Sequence, residues 1–487
     1  MNFDRNTIFI AIRFIAEFIN SIYGIIIFPL ILIHLGPEAY GISAQIGTIN
    51  GFMIPLATLG LGFAVIRLIS GNTDRIFISK YFFTVLLITG FAGVILTTIV
   101  IIFAPFLNSL IIKVIWATPV LQLAAFLIVL TALELCLNDF FRARLRILSY
   151  SLIQIFQVVT NFTGTYLLLM NGGNLFDIIL LTIITKLLSI LLMVGYFSKK
   201  EFTVSSGYMQ HNEIADMVNF GIPIVTMQVG CWLMNFGNRA VIGLFMTIRD
   251  VGIYSASYSI AVILVSLAAP FWGPLYPMMA TAFNNNDLKE LTNVCRNYMN
   301  YYLFFSLPAL CGLIVVAPSL LQIMSQNQFE ISMFFFSLIA LSIFIDQFTA
   351  NAHYIVYLHN EPKFIRNVIL LSGFINIILA LVLVPFFGII GAGFATLIAF
   401  ALLDTLLFIR IMKYGYNIQE FYDLMTIKKI IFSALVMSVT VYLCLAFVTP
   451  SVSTLLTIIC AGIGIYFLML WILQGFNIHR VIELWGK

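Results

Sequence analysis

Four basic residues stand where hydrocarbon would be expected. Arg13, Arg67, Lys186 and Arg239 lie within or at the ends of long apolar runs, where a charge is costly unless it faces a cavity or a partner. Guanidinium groups grip phosphate with two parallel hydrogen bonds. If their helices converge on one cleft, these four residues form a positive wall suited to an anionic head group. For Arg13 and Arg67, both near helix ends, snorkelling competes with that reading, because their own stems carry the charge to the polar boundary. The acids in the same runs are Glu17, Glu134, Asp139, Asp346 and Asp404. Glu17 follows Arg13 by four residues, the spacing of an intrahelical ion pair. Glu134 and Asp346, like Glu17, read either as sites for a coupling H⁺ or Na⁺ or as charge partners for the nearby bases. Pro270 and Pro274, with Gly273 between them and Pro277 beyond, each remove a backbone donor. That stretch is expected to bend, as a gate or as a packing adjustment.

Other chemistries find no footing. The cysteines Cys136, Cys231, Cys295, Cys311, Cys444 and Cys460 are scattered singly, with no C-x-x-C pair, so neither a disulfide framework nor a metal site is indicated. The histidines are equally dispersed, and no phosphate-binding loop of the G-x-x-x-x-G-K-[ST] type occurs. Ser70–Arg75 glances at the loop motif of major facilitator transporters, but its Gly-to-Asp spacing is wrong. No catalytic residue, metal or cofactor is expected beyond a coupling H⁺ or Na⁺, and the chain reads as a non-enzyme. Its formal charge of +4 is too small to suggest nucleic acid.

The elements that must position these residues are helices in a membrane. Of 487 residues 62% are hydrophobic and 9% charged, with a mean hydropathy of +1.07. A soluble chain carries about 25% charged residues to wet its surface. Backbone groups in lipid must be satisfied internally, by helices or closed barrels, and the apolar runs here are too long and too unalternating for barrel strands. About fourteen spans of some 21 residues account for the chain. The second, seventh, eighth and tenth spans are read over 42–69, 217–246, 251–282 and 331–358, with milder breaks marked by Pro55 in the second and Pro223 in the seventh.

With the N-terminus inside, 20 of the 24 Lys and Arg residues fall at inner loops and span ends, and the outer loops keep only Lys113 and Arg249. The positive-inside bias therefore predicts that both termini are cytoplasmic, and the expected location is the cell (inner or plasma) membrane. The chain also echoes itself at an offset of about 210 positions: Ala104-Pro105 against Ala317-Pro318, Phe141 against Tyr354, Glu38–Gly41 against Arg249–Gly252. Two parallel six-helix repeats follow. The expected organisation is an N-lobe over 1–197, a polar linker over 198–216, a C-lobe over 217–413 and a terminal helix pair with a tail over 414–487.

Two motifs at the start and one late in the chain carry a family resemblance. Leu35-Gly36-Pro37-Glu38-Ala39-Tyr40-Gly41 and Leu59-Gly60-Leu61-Gly62-Phe63-Ala64-Val65-Ile66-Arg67 resemble the opening of Wzx-type polysaccharide flippases. Val384–Thr396, with Gly388, Gly391 and Gly393, resembles that family's turn between spans eleven and twelve. The likeness covers the 6 + 6 + 2 plan and points to the multidrug/oligosaccharidyl-lipid/polysaccharide exporter superfamily. It implies translocation of a polyprenyl-diphosphate-linked oligosaccharide from inner to outer leaflet through a basic cleft. The implied partners are membrane lipids and polysaccharide assembly proteins. The competing reading is a cation-coupled multidrug exporter of the same superfamily, with Glu17 and Asp346 as its ion sites. An O-antigen polymerase or ligase, an enzyme, would need a large outer loop with catalytic Arg or His, and every outer loop here is short.

Overall fold

The computed structural model describes the backbone over residues 5–200, 211–449 and 451–473. It describes side chains over 26–197 and 213–473, apart from 269–271, 273 and 450. Every regular element among these residues is helical, as a chain that must satisfy its backbone without water requires.

The chain divides into two compact units, Met1–Gly252 and Ile253–Lys487. The first holds α1 (Arg5–Thr58), α2 (Leu61–Ile69), α3 (Arg75–Leu107) with a π-helical turn at Asn108–Ile112, α4 (Ala117–Ala143), α5 (Ile147–Met170), α6 (Leu175–Lys200), α7 (His211–Asn235) and α8 (Gly237–Phe245). The second begins inside α9 (Ile248–Ala261). It continues through α10 (Ile263–Asn284), α11 (Leu288–Met324), α12 (Met333–Phe348), α13 (Ala350–Leu358), α14 (Pro362–Phe387), α15 (Ile389–Lys413), α16 (Leu424–Phe447) and α17 (Val452–Ile472).

Thirteen segments among the described residues are long and apolar enough to cross a bilayer. The first of them is the described part of α1, whose 54 residues would run about 80 Å if straight. Gly36, at φ 81 and ψ 175, divides α1 into two membrane-length helices, in line with the expectation of about fourteen spans. Asp74, Asp287 and Asp423 accept backbone N–H bonds at the starts of α3, α11 and α16, and Ser451 with Thr454 forms a capping box for α17. Large apolar side chains such as Phe91, Ile102, Phe386 and Trp471 face outward, as lipid-solvated surfaces do. This is a multi-pass membrane protein.

Aromatic packing fixes each unit internally. In the first, Phe82, Phe140, Phe141 and Phe197 are buried together, with Phe82 and Phe140 edge-to-face at 4.9 Å. In the second, the Tyr302 hydroxyl donates to the Phe344 carbonyl at 2.7 Å and the Tyr298 hydroxyl to the Gln347 carbonyl at 3.1 Å. Both bonds tie α11 to the end of α12.

The second, seventh, eighth and tenth spans are each interrupted. Span two breaks at Leu59 and Gly60, with φ 50 and 67; span seven at Phe236; span eight at Val262; span ten at Thr349. The Thr349 hydroxyl bonds back to the Asp346 carbonyl at 3.2 Å, the local competition that loosens a helix turn. Val262 lies two turns before Pro270, beyond the reach of a proline ring, which meets the carbonyl four residues back. Helices interrupted inside the bilayer free backbone polar groups, and in transporters they commonly frame substrate and ion sites.

Candidate functional site

Within the first unit, the part of α1 after Gly36 lies antiparallel along α7 and α8 in a seam that runs the length of the span. A methyl on Gly41 would stand 2.0 Å from the Ile248 carbonyl oxygen, and one on Gly243 would stand 2.3 Å from the Ile111 carbonyl oxygen and 3.1 Å from Gln45 Nε2. Further along, the Trp232 indole donates to the Thr48 carbonyl at 2.9 Å and its ring packs on Phe52 at 4.8 Å. At the far end Gly60 and Gly221 touch backbone to backbone, a methyl on Gly221 falling 2.1 Å from the Leu59 carbonyl oxygen. Residues 41, 45, 48 and 52 share one helix face, so the contacts along the length of the seam come from one stripe of span two. Near Gly243 the seam is clasped by Lys113, whose ammonium donates to the Leu244 carbonyl at 2.7 Å.

Arg239 sits one turn into α8, just past the break at Phe236, and is buried, with 6% of its surface exposed. Its guanidinium lies 4.7 Å from the Phe236 ring centroid, a cation–π contact. Gly243 is four residues further on the same face, so Arg239 is one turn from the point where α8 meets Gln45. Arg67 is at the end of α2, exposed, with its guanidinium 4.9 Å from the Phe220 ring centroid. It lines a cavity of about 270 Å³ together with Glu213, Asp216 and Tyr81. Arg67 thus faces two carboxylates as well as open space.

Lys186 is committed differently. Its ammonium, on α6, pairs with the Glu134 carboxylate on α4, both groups largely buried. Of the two readings open for Glu134, the geometry realises charge pairing. Arg13 and Glu17 lie on the α1 backbone, but their side chains fall outside the described residues.

A polar cluster in the second unit gathers where α12 breaks. The Thr349 hydroxyl reaches Asp404 Oδ1, on α15, at 2.6 Å while also bonding the Asp346 carbonyl. Asp346 Oδ2 accepts from Gln347 Nε2 at 2.6 Å. Asp404 is buried, and its Oδ2 has no hydrogen-bond partner. A carboxylate oxygen with that burial and no donor calls for a cation or a proton. Pro274 is exposed on α10, and the side chain of Pro270 lies outside the described residues.

At the ends of two spans, Arg410 in the last turn of α15 grips Glu361, just before α14, with two-pronged geometry, Nε to Oε2 at 2.8 Å and Nη2 to Oε1 at 2.5 Å. This grip, aided by Tyr414, holds the Glu361 carboxyl below its ordinary range. His359 stacks on Tyr414 at 3.9 Å, and burial pushes its imidazole down as well.

Gln45, Thr349 and the unpartnered face of Asp404 went unassigned at the level of sequence. A glutamine in an apolar run carries no charge to flag it, and a threonine inside a span is too common to single out. The available signal was the polar triplet Gln45, Thr48 and Asn50 within one span.

Comparison with known proteins agrees with this architecture. A family model described as "Polysaccharide biosynthesis protein" matches residues 34–333. A probable low-salt glycan biosynthesis flippase of Haloferax volcanii is 22% identical over 189 residues, 38% of this chain and 39% of that protein. The match therefore spans well under two thirds of that relative. Among solved structures, a lipid II flippase in an inward closed conformation superposes with a TM-score of 0.73 at 17% identity, covering 94% of this chain and 97% of the other. An inward-facing multidrug transporter superposes at 0.68 and 14% identity, covering 81% and 95%. The fold is the one these transporters share.

Proposed function

We propose that this chain, which belongs to the polysaccharide biosynthesis protein family, carries a polyprenyl-diphosphate-linked oligosaccharide from the inner to the outer leaflet. The observation that supports this reading most is Arg239. A guanidinium buried inside a span, beside the break between α7 and α8, suits the two negative charges of a diphosphate. Alternating access along the seam would let the head group pass while the polyprenyl tail stays in lipid. The charge distribution of the loops supports both termini lying in the cytoplasm. Arg67, beside the cavity at the end of α2, would meet the head group at entry.

The test is reconstitution in liposomes with a lipid-linked oligosaccharide, flipping being read as loss of protection from an added lectin. The parental chain should flip it, Arg239→Ala should lower the rate at least tenfold with unchanged membrane insertion, and Arg239→Lys should retain part. Equal rates in all three would remove the basic residue from the reading.

The acid cluster at Asp346, Thr349 and Asp404 favours ion coupling, and with it a second reading as a cation-coupled multidrug exporter. Efflux of a cationic dye from the same vesicles, with no lectin-detected flipping, would support that alternative.

A further inference from the structure

Gln45 is completely buried, and neither its amide nitrogen nor its amide oxygen has a hydrogen-bond partner. A carboxamide offers two donors and a two-lone-pair acceptor, and burying it with none of them used costs free energy that a leucine of similar size would not. A residue retained purely for packing has no need of that cost. Its position adds meaning. Gln45 lies on the stripe of α1 that meets α8, with Gly243 so close that a methyl there would stand 3.1 Å from the amide nitrogen and 2.3 Å from the Ile111 carbonyl oxygen. The Ile111 carbonyl and the Lys113–Leu244 bond close over the same point. Arg239 is one turn away on the facing helix.

We propose that Gln45 is a specificity residue of the transport path, which reads hydroxyl groups of the sugar nearest the diphosphate. In the closed seam its amide is shut against Gly243. When α8 parts from α1, the amide is uncovered one helical turn from Arg239, about 5 to 6 Å along the axis. That spacing matches a sugar attached directly to a diphosphate, whose adjacent hydroxyls can take one amide donor and offer one donor to the amide oxygen. The phosphate charge is held by Arg239 and the sugar is recognised by Gln45, so the two contributions are separable. This assignment rests on the glycan-transport reading above.

The experiment compares two lipids in liposomes containing the full chain: a polyprenyl diphosphate bearing an oligosaccharide and the same polyprenyl diphosphate without sugar. The parental chain must flip the glycan lipid; if it does not, the transport reading fails and not this inference alone. Gln45→Met keeps the volume and removes the amide. It should leave thermal stability in detergent equal or higher, slow the glycan lipid about tenfold, and leave binding of the sugar-free diphosphate within twofold. Gln45→Asn, which keeps the amide but withdraws it by one methylene, should give an intermediate rate. Unchanged glycan flipping in Gln45→Met, or an equal loss for both lipids, would overturn the assignment. Should Gln45→Met fail to fold, an unaltered preference of Gln45→Asn for glycan over sugar-free lipid would overturn it too.

Discussion

Lys186 on α6 and Glu134 on α4 neutralise each other inside the first unit. Two opposite charges taken out of water together are tolerable, whereas one alone is not, and removing either partner from a buried pair costs about 3–5 kcal/mol. Lys186→Met and Glu134→Leu should therefore each yield little folded protein. The double substitution should recover most of it, since an apolar pair of similar volume is often neutral. Detergent thermal unfolding of the three variants checks this. Full stability in Lys186→Met alone would show that folding does not depend on the pair.

The glycine contact at the far end of the seam makes a separate forecast. Gly60 has φ 67, and a methyl there would stand 2.6 Å from the Gly221 carbonyl oxygen. A left-handed backbone costs a side-chain-bearing residue about 1–2 kcal/mol, and the clash adds to it. Gly221→Ala tests contact without backbone strain, because only the approach to Leu59 is disturbed. Gly60→Ala and Gly221→Ala should both part α2 from α7, seen as faster thiol labelling of a cysteine placed at Met217. Labelling at the parental rate in Gly221→Ala would mean that the seam end absorbs a methyl.

The membrane class and helical plan were legible because hydropathy is additive: any twenty-residue apolar window declares itself. The breaks at Phe236, Val262 and Thr349 were not, since no proline within a turn marks them and each depends on what the helix packs against. The prolines that did stand out, Pro270 and Pro274, lie beyond the observed interruption in their span. Arg239 was visible as a charge in an apolar run. Its companion Gln45 was not, because its burial and the Gly243 approach join residues almost two hundred positions apart. Lys186 was visible too, but its partner Glu134 is 52 positions away, and only packing of α4 on α6 decides between pairing and a free charge.

The Glu361–Arg410 grip predicts how stability follows pH. A carboxyl held below its unfolded value, about 4.3, contributes stability that is fully present above that value and lost as pH falls through the folded one. His359 acts in the same direction at higher pH. Its imidazole is pushed down from an unfolded value of about 6.5 by burial, so the unfolded chain takes up protons first. The unfolding temperature should therefore decline from pH 7 toward about pH 3. Glu361→Gln should flatten the lower part of that decline and His359→Gln the upper part. A Glu361→Gln profile parallel to the parental one would show that the grip adds nothing to folding.

The cluster at the α12 break gives the last prediction. Thr349 has one hydroxyl proton and two acceptors, the Asp346 carbonyl and Asp404 Oδ1, and Asp404 Oδ2 has no donor. Three acceptors around one proton leave a site that attracts a cation or a further proton, and a carboxylate poised this way would couple transport to an ion gradient. Asp404→Asn supplies donors where the acid has none, so it should fold as well as the parental chain or better. It should also lose the dependence of flipping rate on an imposed proton or sodium gradient while keeping the ungradiented rate. Thr349→Val removes the shared proton without touching either acid, and it should weaken that dependence by about tenfold, the equivalent of 1.4 kcal/mol. Measuring lectin-detected flipping with and without each gradient distinguishes the ions. Gradient dependence intact in Asp404→Asn would make the cluster a structural link between α12 and α15.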